Sequence, residues 1–386
     1  MKEIKYDDEH REIVNDFDEL FNQDSKPICQ PSHKQLDNLH YDFREIDGYN
    51  KPFNIIISPR ELGKTTMAWV KKIYRPWMKN HKPWLYLVRN ANEITDSLIS
   101  DIEMNINKFN DEISLIYARG SLESGICDVF IEVEGEKLLF TRILALNIKL
   151  RKIKLSKIAN IGGVLMDEYI IDPKTGEKYL KGEEMKIKEI YTTYRRESEG
   201  ILKMYFLANP YSLFCPLFIW LNIDTRRLKP NALIVGDEYV IQCATLKEEL
   251  KQKILQENPL YQFDESYKMY AFDGLAVNDM NIRLGSFPPR YQLKFVVRVN
   301  NMNIGIFKNN YIEDREDRYY CKEVSAFSND RQIFAFDFTD VINKCVLVGM
   351  EERRRLENFR NAFRKRQVVF SNVNVYYLIE EVYYNL

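Results

Sequence analysis

Histidine is scarce in this chain: His10, His33, His40 and His81 are its only four, all in the first quarter. They are scattered at no ligand spacing, which makes a histidine-based metal centre a poor reading. The six cysteines, Cys29, Cys127, Cys215, Cys243, Cys321 and Cys345, are equally dispersed and form no CxxC. That argues against a disulfide frame or zinc site and for reduced structural thiols. An excess of charge is missing too, because 56 Lys and Arg face 57 Asp and Glu, for a net charge of −1. A globally basic nucleic-acid binder is thereby excluded, and any such contact must come from a local patch or from its repetition around an oligomer. Long apolar runs are absent as well. The most apolar stretch, Met204–Ile223, is broken by Asn209-Pro210 and Pro216, and the charged start, Met1–Glu9, lacks the apolar core of a signal peptide. The expectation is a soluble intracellular protein with no membrane contact.

What is present is globular: 386 residues, 45% apolar and 13% aromatic, with no low-complexity tract and no internal repeat. That length favours two domains. Residues 1–50 begin acidic and polar and become turn-rich, and read as an N-terminal extension. From Pro52 short apolar strands alternate with amphipathic helices, the pattern of an open α/β sheet. Strands are expected at Phe53–Ile57, Trp84–Val88, Val129–Val133, Val164–Met166 and Lys203–Leu207. Helices are expected at Lys64–Met78, Glu93–Phe109 and Lys181–Thr193. These fill an α/β domain over 51–228. Residues 229–289, punctuated by Asn258-Pro259 and Pro288-Pro289, read as a linker or small lid. A strand-rich α+β domain over 290–386 ends in helices at Glu351–Arg366 and Val375–Tyr384.

Ser58-Pro59-Arg60-Glu61-Leu62-Gly63-Lys64-Thr65 fits GxxxxGK[ST] with serine for the first glycine, between an apolar strand and a helix. Backbone N–H groups near Gly63, Lys64 and Thr65 would cradle phosphates at a helix N-terminus. Lys64 would neutralise β/γ charge and Thr65 would ligate Mg2+, which places Ser58, Arg60, Gly63, Lys64, Thr65 and Thr66 in an ATP-binding loop. The strand Val164-Leu165-Met166 ends in Asp167 and Glu168, one to hold the metal and the other to polarise an attacking water. Asn209, after the strand Lys203–Leu207, is either a sensor beside the γ-phosphate or a turn-forming Asn-Pro. Arg195 and Arg196 are either solvated or an arginine finger for a neighbouring subunit.

Together these residues resemble the phi-29-type genome-packaging ATPases of small podoviruses and, more distantly, the ATPase half of large terminases. The resemblance rests on the loop with its internal arginine, on Val-Leu-Met-Asp-Glu-Tyr, on Phe-Leu-Ala-Asn-Pro-Tyr-Ser-Leu-Phe, and on Tyr-Arg-Arg-Glu before that third element. It extends over roughly residues 50–386. It implies an ASCE-type P-loop ATPase domain, a linker or lid, and an RNase H-like, vestigial nuclease domain. Lys64 and Thr65 would serve phosphate and magnesium, Asp167 magnesium, Glu168 catalysis and Asn209 coupling. The trans finger would be Arg195 or Arg196, with Arg195 favoured, and Arg60 and Arg89 also match family positions. Ser58 departs from the phi-29 loop but looks terminase-like.

The implied activity is ATP-driven translocation of double-stranded viral DNA into a preformed procapsid. A homo-oligomeric ring, five-fold by resemblance, would dock at the portal in the host cytoplasm, with a structural RNA as a further candidate partner. A nuclease would need carboxylates on Leu293–Val299, which carries Arg298 and no acid. Asp337 and Asp340 read as a strand end and a helix N-cap, so no nuclease activity is expected. On the helix Glu351–Arg366, Leu356, Phe359 and Phe363 share one face. Arg353, Arg354, Arg360, Arg364 and Lys365 fall largely opposite, as a solvated face or a site for nucleic acid or an acidic partner. Two alternatives are a P-loop helicase or repair translocase, for which no helicase motif follows Asn209, and a non-enzymatic nucleic-acid adaptor, which the intact Lys64, Thr65, Asp167 and Glu168 oppose.

Overall fold

The computed structural model describes residues 40–385, apart from 110–112, 120–124, 150, 153–157, 173–174, 176, 197, 199, 213, 258–281, 310–317, 326–331, 337–339 and 343–344. The chain forms two compact units. The first holds the chain up to Tyr211 and the segment that begins at Lys229. The second holds Ser212–Leu228 and the C-terminal part.

The first unit is built on nine strands: β1 (Phe53–Ile57), β2 (Trp84–Val88), β3 (Leu115–Arg119), β4 (Ile126–Val133), β5 (Glu136–Ala145), β6 (Gly163–Met166), β7 (Met204–Ala208), β8 (Leu233–Val235) and β9 (Tyr239–Cys243). Their order is β3-β4-β5-β2-β6-β7-β1-β9-β8. The central run from β5 to β9 is parallel, and antiparallel strands close both edges. β1, β2, β6 and β7 are buried at every position, as strands covered on both faces must be, which is why they read as apolar runs, interrupted only by the buried Asn54 of β1. The parallel arrangement brings the carboxyl ends of β1, β2, β6 and β7 to one edge, where an open α/β sheet places ligand-binding groups.

After β1 the chain enters α2, which runs through Lys64–Met67, a π-helical Ala68–Tyr74 and Arg75–Asn80. Its first turn faces that carboxyl edge, and Met67, Ala68, Trp69, Val70, Ile73 and Trp77 are buried. α3 (Asp96–Asn107) is capped by Thr95, whose side chain accepts from Leu98 N. α4 (Glu183–Arg195) connects β6 to β7.

Both ends of the expected first domain differ from the sequence reading. Residues 41–48 pack with the sheet, through α1 (Arg44–Gly48) and the buried Tyr41, Phe43 and Ile46. The Tyr41 hydroxyl donates to Gln242, the Tyr205 hydroxyl to Asp47, and Lys72 pairs with Asp47. Residues 1–39 of the expected extension lie outside the described residues. The expected linker supplies β8 and β9, with β9 pairing directly with β1, and then α6 (Glu248–Glu257). Its remainder up to 281 is outside the described residues. β9 is only five residues long, and of its two partners β8 has only three residues while β1 lies far away in sequence, so local pattern did not place it in the sheet. Ser212–Leu228, expected in the first domain, falls in the second unit and carries the short α5 (Pro216–Trp220).

The second unit holds β10 (Tyr291–Val299), β11 (Met302–Asn309), β12 (Tyr319–Glu323), β13 (Ile333–Ala335), β14 (Cys345–Leu347) and β15 (Val368–Phe370), in the order β14-β13-β10-β11-β12-β15. β10, β11 and β12 form an antiparallel meander; β13 and β14 are parallel to β10, and β15 is parallel to β12. Helices α7 (Met350–Arg364) and α8 (Val373–Asn385) cover one face through Leu356, Phe359, Val375, Leu378 and Ile379. Arg353, Arg354, Arg364 and Lys365 stay exposed, while Arg360 is partly buried, 3.9 Å from Glu357. Asp337 is outside the described residues. Asp340 is buried, and its carboxylate accepts from Asn300 N at 3.2 Å and Asn301 N at 2.8 Å. It therefore fastens the β10–β11 turn rather than capping a helix.

Among the described residues no helix is long and apolar enough to cross a membrane. Cys127, Cys215, Cys243, Cys321 and Cys345 are free thiols.

Candidate functional site

Four elements deliver polar side chains to the carboxyl edge of the first sheet. β1 gives way to Ser58, which is buried and donates its N–H to Ala208 O at 3.0 Å, tying the loop to the end of β7. Arg60–Leu62 makes one 3-10 turn, and Gly63 follows at φ +73°, a left-handed conformation that suits glycine. A Cβ at Gly63 would also lie 2.7 Å from Cδ2 of His40, so that ring would have to shift to admit a larger residue.

Lys64 opens α2 and is 4% exposed. Its ammonium donates to Asn209 Oδ1 at 2.5 Å and to Ser58 O at 3.4 Å. Burial pulls its pKa down to about 8, against the opposing pull of Asp167 and Glu168. The Thr65 hydroxyl donates to Asp167 Oδ2 at 2.6 Å. Asp167 Oδ1 accepts from Glu168 N at 2.8 Å. The structure thus joins the loop, the acidic pair and Asn209 in one hydrogen-bonded group, drawn from positions spread over more than a hundred residues of sequence.

Glu168 sits at φ +49°, a left-handed conformation that costs a non-glycine residue about 1–2 kcal/mol. Such strain persists where the surroundings over-determine it. Partial desolvation, then the neighbouring Asp167, push its carboxyl above the usual carboxylate range.

Thr66 donates to Asn105 Oδ1 at 2.6 Å, and Lys108 donates to both groups, at 3.3 and 3.1 Å. A cavity of about 300 Å³ lies there, lined by the loop residues Arg60 to Met67 except Leu62, and by His40, Lys108 and Phe109. His40, Asn105 and Lys108 were not legible as site residues, because no motif marks them and only the packing of residue 40 and of α3 brings them over the loop.

Arg195 and Arg196 are not part of this group. Both are exposed at the far end of α4, and the Arg195 guanidinium lies 5.7 Å from the Tyr191 ring centroid. α4 starts at Glu183, beside Arg89 and the carboxyl edge, and its 13 residues span about 20 Å. The two arginines therefore end up remote from their own loop.

The loop geometry fits a nucleotide and its metal. The left-handed Gly63 leaves a cradle that a Cβ would fill, and an ammonium and a hydroxyl converge beside it. Among the described residues no cluster of three or more His, Cys, Asp or Glu could hold an ion. A P-loop magnesium does not need one, since it keeps waters and is bound by one or two protein groups and the phosphates.

Strand order and loop place the first unit among the P-loop α/β folds. The whole chain has a more particular likeness, to the viral genome packaging motor assembly of bacteriophage Phi-29. The TM-score is 0.63 at 16% identity, covering 90% of this chain and 99% of that one. The Phi-28 gp11 DNA packaging motor is also similar, with a TM-score of 0.51 at 13% identity over 87% of this chain and 95% of that one. The two-unit fold is thus that of the phi-29-type packaging motors, the family its motifs resemble. No protein-family profile matches the sequence, and no curated protein matches it.

Proposed function

We propose that this protein is an ATPase that drives double-stranded DNA into a viral procapsid. The observation that carries the reading is the hydrogen-bonded group of Lys64, Asn209, Thr65 and Asp167 at the carboxyl edge of the sheet. In this reading backbone N–H groups at Gly63, Lys64 and Thr65 hold the phosphates, and the Lys64 ammonium exchanges its Asn209 contact for a phosphate oxygen. Thr65 and Asp167 would hold Mg2+, which would supply neutralising charge to the phosphates. Glu168 orients and accepts a proton from the attacking water, and its raised pKa suits that task. Asn209 reports the phosphate state, and the turn it occupies leads within three residues to Ser212, where the chain enters the second unit.

The remoteness of Arg195 and Arg196 from their own loop favours a role at a neighbour's site, with Arg195 the first choice. The functional form is then a homo-oligomeric ring, a pentamer by likeness, docked on the portal of a procapsid in the host cytoplasm. A structural RNA is a further candidate partner. In the second unit, the meander followed by two strands parallel to its first member supports an RNase H-like fold. β10 carries no carboxylate and Asp340 is spent on a turn, so we assign this unit no nuclease activity. Its exposed Arg353, Arg354, Arg364 and Lys365, with Arg360 at the margin, would meet phosphate backbones or acidic portal surface.

The test is ATP hydrolysis by wild-type and Lys64→Ala protein across protein concentrations, with and without double-stranded DNA. Lysine-dependent activity that rises more than linearly with protein or with DNA is expected. Activity indifferent to both would leave the ATPase standing and remove the assembling motor. Mixtures of Arg195→Ala and Glu168→Ala subunits should regain turnover at shared interfaces. The same mixture made with Arg196→Ala separates the two arginines.

A further inference from the structure

Arg89 follows β2 at the carboxyl edge and is almost fully buried. Its guanidinium makes a two-pronged pair with Glu183, donating from Nε to Oε2 at 3.0 Å and from Nη2 to Oε1 at 3.1 Å. Glu183 is itself 1% exposed, and its Oε2 also accepts from Leu180 N at 2.9 Å. A bidentate pair of this kind fixes orientation as well as charge. The remaining bond matters more for the site: Nη2 also donates to Tyr169 O at 2.8 Å. Tyr169 is the residue after Glu168, and its own N–H donates to Leu207 O at 3.0 Å.

The left-handed Glu168 is therefore clamped on both sides. Asp167 Oδ1 holds its N–H, while Leu207 and Arg89 hold the two backbone groups of the next residue. We infer that Arg89, locked by Glu183, is a positioning residue that keeps Glu168 in its strained backbone conformation and so aims its carboxylate. The inference rests on the catalytic reading of Glu168 given above. Lysine could not replace the guanidinium here, since one ammonium cannot reproduce a planar fork that serves a carboxylate and a carbonyl together. The same pair anchors the first residue of α4, so the acidic turn and the helix ending in Arg195 share one fastening.

The experiment uses the full chain and two variants. Arg89→Met/Glu183→Met removes both charges, so neither is left buried alone, and it also removes the donor to Tyr169 O. Arg89→Lys keeps a cation against Glu183 but loses the fork. ATP affinity and kcat are measured well below the thermal transition of each protein. The expected result is nucleotide affinity within about threefold of wild type and kcat lowered at least tenfold, about 1.4 kcal/mol, in the double variant. Arg89→Lys should show a smaller loss of kcat, again with affinity retained.

A role confined to packing would lower the melting temperature and leave kcat unchanged, and that outcome overturns the proposal. Should the double variant not fold, Arg89→Lys decides alone, and a wild-type kcat in it refutes the positioning role. If wild-type protein lacks Lys64-dependent turnover, it is the ATPase reading that fails.

Discussion

Raising the pH from 7.5 to 9 should weaken nucleotide binding by about eightfold, for a reason set by the burial of one ammonium group. Lys64 is nearly enclosed between the loop and the end of β7, and desolvation brings its pKa down to about 8. Phosphate recognition requires the charged form. If binding holds Lys64 protonated, affinity tracks the charged fraction of the empty site, which falls from about three-quarters at pH 7.5 to about one-tenth at pH 9. Both pH values lie above the second phosphate ionisation near ~6, so the ligand's charge is constant over the window. Binding must then take up about 0.2 proton at pH 7.5 and about 0.9 at pH 9. Calorimetry in buffers of different ionisation enthalpy reads that uptake directly.

The stability of the empty protein should move the other way. A lysine whose folded pKa lies below its unfolded value imposes a cost that is fully present below about pH 8. That cost is relieved as the pH climbs from there towards the ordinary lysine value. Affinity that falls while empty-state stability rises is a signature that general alkaline unfolding cannot produce. Flat affinity across the window, with heats independent of buffer, would refute the argument.

Other expectations follow from single contacts. Gly63→Ala should weaken nucleotide binding and lower stability by about 1–2 kcal/mol through its left-handed backbone alone, before counting the His40 ring 2.7 Å from the new Cβ. Adding His40→Ala should recover the steric part in a thermal melt, and a double variant no more stable than the single one would remove His40 from the account. Turnover should fail on the acid side at a higher pH than an ordinary glutamate would dictate, because Glu168 must be ionised and its pKa is raised. A kcat profile with its acid limb at the ordinary glutamate value would contradict this. Asp340→Ala should destabilise the second unit by about 3 kcal/mol, since two backbone N–H groups of the turn lose a charged acceptor. An unchanged melt would mean the turn stands without it.

The central strands and the loop were legible because their signals are local. Trp84–Val88 is an unbroken apolar run and Phe53–Ile57 is broken only by Asn54, and strands covered on both faces take that form. The spacing of Gly63, Lys64 and Thr65 states its chemistry within eight residues, and the acidic pair ends a strand that reads as one. Helix α7 showed its buried Leu356 and Phe359 through periodicity alone.

Tertiary structure decided the rest. β8 and β9 looked like linker because they make only a short hairpin with each other, and what joins that hairpin to the sheet is the pairing of β9 with β1, far back in the chain. Tyr41, Phe43 and Ile46 looked like the tail of an extension because the surface that buries them is assembled from distant strands. Arg89 stood out in the sequence only as a family position without a role and Glu183 not at all, yet folding brings them together with the carbonyl beside Glu168. Sequence by itself thus determined which groups can do phosphate chemistry, since residue type and short spacing are written along the chain. Which groups orient them was settled only when the sheet closed, because a buried hydrogen bond depends on proximity in space and leaves no period in the sequence.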